Sequence, residues 1–213
     1  MKKLAILVLF GAFATAASAQ FLLGGQFNAS VVKDKQVGTG DDFESTTTLV
    51  TLIPRLAFAS GNMWYGLDAG VNLIKDKSDL SGGSTETKTT IATIAPFFRS
   101  IKRFDNLGIW IEAQAGASFG SAKDNDGNKT DKYTGFNVGL RPGVILFIGD
   151  HLSFEASFGR LGYTSFTDED PNDSSNKETV SQAGLMLNSN TILLDQNTLG
   201  ATTGFLFGAN WLF

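Results

Sequence analysis

Cysteine is absent from the 213 residues. No disulfide can staple the fold, no thiolate can act as nucleophile or metal ligand, and no lipid-modified N-terminal cysteine can make the chain a lipoprotein. Histidine occurs once, at His151, and charged residues make up only 18% of the chain. The formal net charge is −4, so the chain has no basic footprint for nucleic acid. Beyond residue 20 no apolar run approaches the roughly 20 residues of a membrane helix. What is plentiful is glycine, 24 residues, and phenylalanine, 18. That balance is unusual for a soluble domain, and the length fits one domain.

The N-terminus supplies the context. Met1-Lys2-Lys3 is a basic start, Leu4–Phe13 is a short apolar run, and Ala17-Ser18-Ala19 is an A-x-A-like cleavage site. Residues 1–19 therefore read as a signal peptide and 20–213 as the mature domain. Cleavage removes Lys2 and Lys3 and brings the net charge to about −6.

The mature chain alternates between period-two segments and polar connections. Period two places successive side chains on opposite faces of a sheet. Between Leu107 and Ser121, one face carries Leu107, Ile109, Ile111, Ala113, Ala115, Ala117 and Phe119. The other carries Gly108, Trp110, Glu112, Gln114, Gly116, Ser118 and Gly120. Phe21–Val32 and Phe205–Phe213 repeat the pattern. Eight strands are expected, at 21–32, 46–59, 63–74, 88–101, 107–120, 133–148, 152–166 and 198–213. Each is longer than the usual 5–6 residues of a soluble strand; a tilted membrane strand needs about 9–11.

Connections alternate between short and long. Ser60-Gly61-Asn62, Asp105-Asn106 and Gly149-Asp150-His151 are short turns. Polar loops are expected at about 33–45, 75–87, 121–132 and 167–179. Short periplasmic turns and longer outer loops characterise an up-and-down antiparallel transmembrane β-barrel. An even strand count leaves both termini of the mature chain in the periplasm. Val180–Asn197 does not fit the repeat: it either extends the fourth loop or adds two strands, making ten, and the short Thr191–Asp195 favours eight.

A charged repeat runs through the even strands. Pro54-Arg55, Pro96 with Arg99, and Arg141-Pro142 recur at intervals of about 42 to 46 residues. By parity each proline lies on the apolar face and each arginine on the other, and the recurrence suggests a shared bulge or bend. The following strands place Asp68, Glu112 and Glu155 on the arginine face. Two-residue turns at Gly61-Asn62 and Asp105-Asn106 set Arg55 opposite Asp68 and Arg99 opposite Glu112. A three-residue turn at Gly149–His151 sets Glu155 opposite Ile145 and leaves Arg141 offset. Arg55, Asp68, Arg99, Glu112, Arg141 and Glu155 are the expected lumen charge network, since on the lipid face each would cost about 2–4 kcal/mol near the midplane. An eight-stranded barrel is just wide enough to be filled by side chains, which argues against an open pore.

With these features, the chain resembles the small outer-membrane β-barrel proteins of the OmpA/OmpX type. Ile53-Pro54-Arg55-Leu56-Ala57-Phe58 before a short turn, and the terminal run Phe205–Phe213, are similar to that family's outer membrane protein β-barrel domain. The resemblance implies residence in the outer membrane of a Gram-negative bacterium, among outer-membrane lipid and lipopolysaccharide. It also implies recognition of a C-terminal assembly signal, here Trp211 and Phe213, by the barrel-assembly machinery. The same aromatics suit an interface girdle.

Chemistry is sparse. His151 has Asp150 and Ser153 nearby, but adjacency along a turn does not make a catalytic constellation. Asp124-Asn125-Asp126-Gly127 lacks the spacing of a calcium loop and reads as a hairpin tip. Asp168-Glu169-Asp170-Pro171-Asn172-Asp173 is an acidic loop that could meet divalent ions bridging lipopolysaccharide. No catalytic, cofactor or metal residues are expected. The expected function is a non-enzymatic barrel with a structural, envelope-integrity or surface-interaction role, its ligand unspecified. The alternatives are a small porin-like channel, a lipid-modifying barrel enzyme using His151, and a soluble periplasmic β-protein.

Overall fold

The computed structural model describes residues 20–36, 43–80, 83–186 and 205–213; the expected signal peptide at 1–19 lies outside them. The described chain is all antiparallel strand. In order these are β1 Gln20–Gln36, β2 Phe43–Ser60, β3 Met63–Leu80, β4 Gly83–Phe104, β5 Leu107–Lys123, β6 Lys129–Ile148, β7 Leu152–Phe158, β8 Arg160–Asp170, β9 Asp173–Met186 and β10 Phe205–Leu212. Each of β1 to β6 pairs with the next, β6 pairs with β7, β7 with β10, and β10 with β1. These eight strands close a ring at the turn end, where each strand is paired on both flanks as a membrane-spanning sheet requires; toward the hairpin end, the flank of β1 away from β2 beyond Phe27 and the outer flank of β9 have no further ladder partner among the described residues.

The turns explain the register. Gly61 (φ 56°) and Asp105 (φ 50°) supply left-handed residues for the tight turns after β2 and β4. Ser60 then pairs with Met63, and Phe104 with Leu107. These turns, the Gly149–His151 turn and both ends of the described chain lie at one end of the barrel, the turn end. The hairpins lie at the other.

Side chains alternate as the sequence demands. In β4, residues from Thr89 to Ile101 alternate without a break between buried and exposed positions, apart from the half-buried Ser100. The exposed set forms an apolar belt around the ring that includes Leu56, Leu67, Ile94, Phe98, Ile111, Phe119, Phe136 and Leu140. A continuous exposed apolar surface of this kind is stable only against lipid or a partner.

Several expectations are corrected. The described parts of the polar segments at 33–45, 75–87, 121–132 and 167–179 are largely paired strand, with 37–42 and 81–82 outside the described residues: β3 and β4 stay in register out to Leu80 and Gly83. The fourth loop is a tight hairpin, with Asp170 paired to Asp173 across Pro171-Asn172. Ladder hydrogen bonds do not depend on side-chain polarity, so pairing continues beyond the apolar belt. Pro54 and Pro96 also make no bulge, whereas beside Pro142 the pairing of β6 slips by one residue, from Leu140↔Leu161 to Gly143↔Ser157. The β2–β3 register runs unchanged from Leu52↔Val71 to Arg55↔Asp68, missing only the two pairs beside Pro54. The same gap without a shift flanks Pro96. All three face outward, and at Pro54 and Pro96 the missing N–H interrupts the ladder without moving it.

The seventh strand, expected as continuous over 152–166, is broken at Gly159 (φ 62°) into β7 and β8. β6 runs alongside both pieces. On their other flank, β10 covers β7 and β9 covers β8. Residues 180–186 thus belong to β9, while 187–204, with the start of the expected last strand, lie outside the described residues.

Candidate functional site: the charged layer of the lumen

The turn end of the lumen is closed by apolar side chains. Leu22, Ala57, Ala59, Trp64, Phe97, Ile101, Trp110, Ile145 and Leu212 form one buried cluster. Directly above it lies a layer of charge. Arg55, Asp68, Arg99, Glu112, Arg141 and Glu155 are all buried, with at most 4% of their surface exposed.

Arg55 stands opposite Asp68 and meets it with two donors, Nε and Nη2, each 2.7 Å from a carboxylate oxygen. Such a forked contact is both strong and directional. Its Nη2 also reaches Glu112 at 2.9 Å and its Nη1 reaches Glu155 at 3.4 Å. Arg99 stands opposite Glu112, with Nη2 at 2.8 Å, and also pairs with Glu155. Glu155 stands opposite Ile145. Arg141 turns to Glu112 instead, 2.5 Å away and directly across β5–β6. Glu112 is therefore contacted by all three arginines.

Neutral groups complete the layer. Gln26 donates to Glu155, Asn210 donates to it at 3.1 Å, and Gln114 donates to Asp68 at 3.2 Å. Sequence reasoning missed these three, although their inward parity on β1, β5 and β10 was available. Below, the Arg55 guanidinium lies 4.1 Å from the Phe97 ring centroid and that of Arg99 3.8 Å from Trp110. Cation–π contact joins the charge layer to the apolar plug. Three cations and three anions buried in one layer neutralise each other; a buried charge without partners would carry a large desolvation cost. Just above, a gap bordered by Gly70, Asn72, Thr93 and Gln114 has a volume of about 10 Å³, room for one water at most.

The other expected residues are placed as follows. The His151 ring donates through Nδ1 to the Leu212 carbonyl at 2.8 Å and stacks on Trp211 at 5.9 Å. It docks the last turn onto the terminal strand, while Ser153 is buried facing the lumen. Trp211 and Phe213 face outward, and Phe213 lies 5.9 Å from Phe21 of β1. Asp124 closes its hairpin tip by accepting from the backbone of Asp126 and Asn128. Asp170 and Asp173 likewise accept backbone N–H groups in their turn. Among the described residues no group of three acids or histidines is placed to hold a metal.

The family model of the outer membrane protein beta-barrel domain matches residues 4–208. The chain belongs to that family. As an outer-membrane β-barrel, it takes its location from the family and its belt of exposed apolar residues from the strand pattern described above. Among solved structures, this outer-membrane barrel is similar to Neisserial surface protein A (NspA), at 11% identity and a TM-score of 0.45 over 91% of this chain and 97% of that one. It is also similar to a major outer membrane protein from Thermus thermophilus, at 13% identity and a TM-score of 0.40 over 92% of this chain and 100% of that one. No curated protein matches the chain.

Proposed function

We propose that this barrel is a non-enzymatic, non-conducting element of the outer membrane that contributes to envelope integrity and presents its hairpins as a surface for interaction. The observation that carries the reading is the stack of two filled lumen layers, the apolar plug and the neutralised charge layer above it. A lumen blocked by large side chains leaves no water column for solutes. His151, the one histidine, is engaged by the terminal strand, which favours a structural role over acid–base chemistry.

In this reading the turn end, with both termini, faces the periplasm. Trp211 and Phe213 serve as the signal taken up by the barrel-assembly machinery and then settle in the interface. The hairpins project outward, where loops carry recognition. The test is ion conductance of the refolded chain in a planar bilayer, with insertion established by a heat-dependent gel shift. An inserted, silent barrel is expected. Lasting conductance steps would overturn the filled-lumen reading in favour of a channel.

A further inference from the structure

The outer face of the hairpin end carries a row of lysines in cross-strand register. Lys75 of β3 stands opposite Lys88 of β4, Lys88 opposite Lys123 of β5, and Lys123 opposite Lys129 of β6. All four side chains are exposed. Like charges directly opposite each other destabilise a sheet, so four in line need a compensating partner. Within the chain they have little. Glu86 bonds Lys75 at 2.8 Å and Lys88 at 2.9 Å, and among the described residues Lys123 and Lys129 form no ion pair.

Elsewhere on the same collar two lysines are matched with acids and Lys33 stands opposite Thr46. Lys35 stands opposite Glu44, and Lys177 opposite Glu169, where the pair closes at 2.9 Å. Among the described residues the lysine-on-lysine register there is confined to β3–β6. The row is also held in place from the side. The Asn125 side chain at the tip of the β5–β6 hairpin accepts from the Glu86 backbone at 2.7 Å and donates to the Ser84 carbonyl at 3.3 Å.

Depth identifies the partner. Two residues below the row, the outward positions are Leu73, Thr90 and Ser121; two further down they are Val71, Ala92 and Phe119. At about 3.3 Å per residue the row stands about 6–7 Å along the strand beyond Leu73 on β3, and about 13 Å beyond Ala92 on β4 and Phe119 on β5, distances that strand tilt shortens along the membrane normal. That is the level of lipid headgroups. We infer that Lys75, Lys88, Lys123 and Lys129 form a docking row for the phosphate groups of an outer-membrane lipid. Charge repulsion along the row is relieved when phosphate sits across it, and the acyl chains of the same lipid lie on the Val71–Leu73–Phe119 surface below.

The inference rests on the outer-membrane placement, and its test separates the two. The full chain and a Lys75→Gln/Lys88→Gln/Lys123→Gln variant are refolded in neutral detergent, and insertion into phosphatidylcholine vesicles is checked by gel shift. Each folded form is then titrated with fluorescent diphosphoryl lipid A. At roughly fivefold per surface lysine, the triple variant should bind about a hundredfold more weakly, and a Lys33→Gln/Lys35→Gln control should bind like the parent. Lipid A stripped of its phosphates should bind both parent and variant weakly. Equal binding by parent and triple variant would overturn the docking row while leaving the barrel reading intact. Competition by inorganic phosphate as strong as by the lipid would overturn it too, in favour of a general anion site. A chain that never inserts would overturn the membrane placement and the row together.

Discussion

Arg55 and Asp68 face each other across β2 and β3, and the guanidinium meets both carboxylate oxygens at 2.7 Å inside a closed ring of strands. A pair so enclosed is sensitive to the loss of one partner. Replacing Asp68 with alanine should cost about 3–5 kcal/mol, because Arg55 would remain charged with part of its coordination gone. Urea unfolding followed by gel shift would show this as a lowered midpoint.

Glu112 is the more demanding position. It contacts Arg55, Arg99 and Arg141, so Glu112→Ala leaves three guanidinium groups short of an acceptor. The expected loss is at the top of the same range of about 3–5 kcal/mol, or above it. A smaller loss for Glu112→Ala than for Asp68→Ala in the same assay would count against a layer centred on Glu112.

Gly143 should tolerate no side chain. A Cβ there would stand 2.6 Å from the Ala156 carbonyl oxygen and inside the space of the Trp110 indole. Gly143→Ala should therefore cost about 1–3 kcal/mol by overpacking. It should also alter Trp110 fluorescence, since the ring that stacks on Arg99 must shift.

The two faces of one strand should respond oppositely to charge. Ile94 is exposed on the apolar belt, and Ile94→Arg should cost about 2–4 kcal/mol in a bilayer if it lies near the midplane. The native Arg99, five residues along and facing inward, is tolerated because Glu112 and Glu155 receive it. The comparison is made by folding titration into phosphatidylcholine vesicles.

Acid should act on the hairpin end through Glu86. Hydrogen bonds from Lys75 and Lys88 outweigh slight desolvation and hold its carboxyl below its ordinary value. A carboxylate lowered on folding stabilises the fold fully above its unfolded pKa, about 4.3, and loses that contribution as pH falls through the lowered folded value. Carbon-13 NMR titration of the Glu86 side chain should give a midpoint below that of an unfolded peptide. Glu86→Gln should remove this part of the acid dependence.

Register was legible where a turn fixed it. Gly61-Asn62 and Asp105-Asn106 leave one way to pair their strands, so the oppositions Arg55 with Asp68 and Arg99 with Glu112 could be read from counting alone. Arg141 was harder because each strand has two neighbours. Counting forward placed it off Glu155, whereas it lies directly across from Glu112 on the strand before it. Strand ends were underestimated for a different reason. Thr85, Glu86 and Thr87 look like loop residues by polarity, yet backbone pairing carries them in register with β3. Nothing in the local pattern around Gly159 announced the break. It arises from which strands flank β7 and β8, a long-range matter that period-two reading does not contain.

The ring closes between its first strand and its last. β1 meets β10 from Leu22↔Leu212 to Phe27↔Phe207, and the Phe213 N–H donates to the Phe21 carbonyl beside them. β10 is joined on its other flank to β7. The sheet from β1 to β7 can therefore zip up hairpin by hairpin, yet it keeps two bare edges until the C-terminal strand bridges them. Deleting Phe205–Phe213 should leave an open, aggregation-prone sheet rather than a smaller barrel.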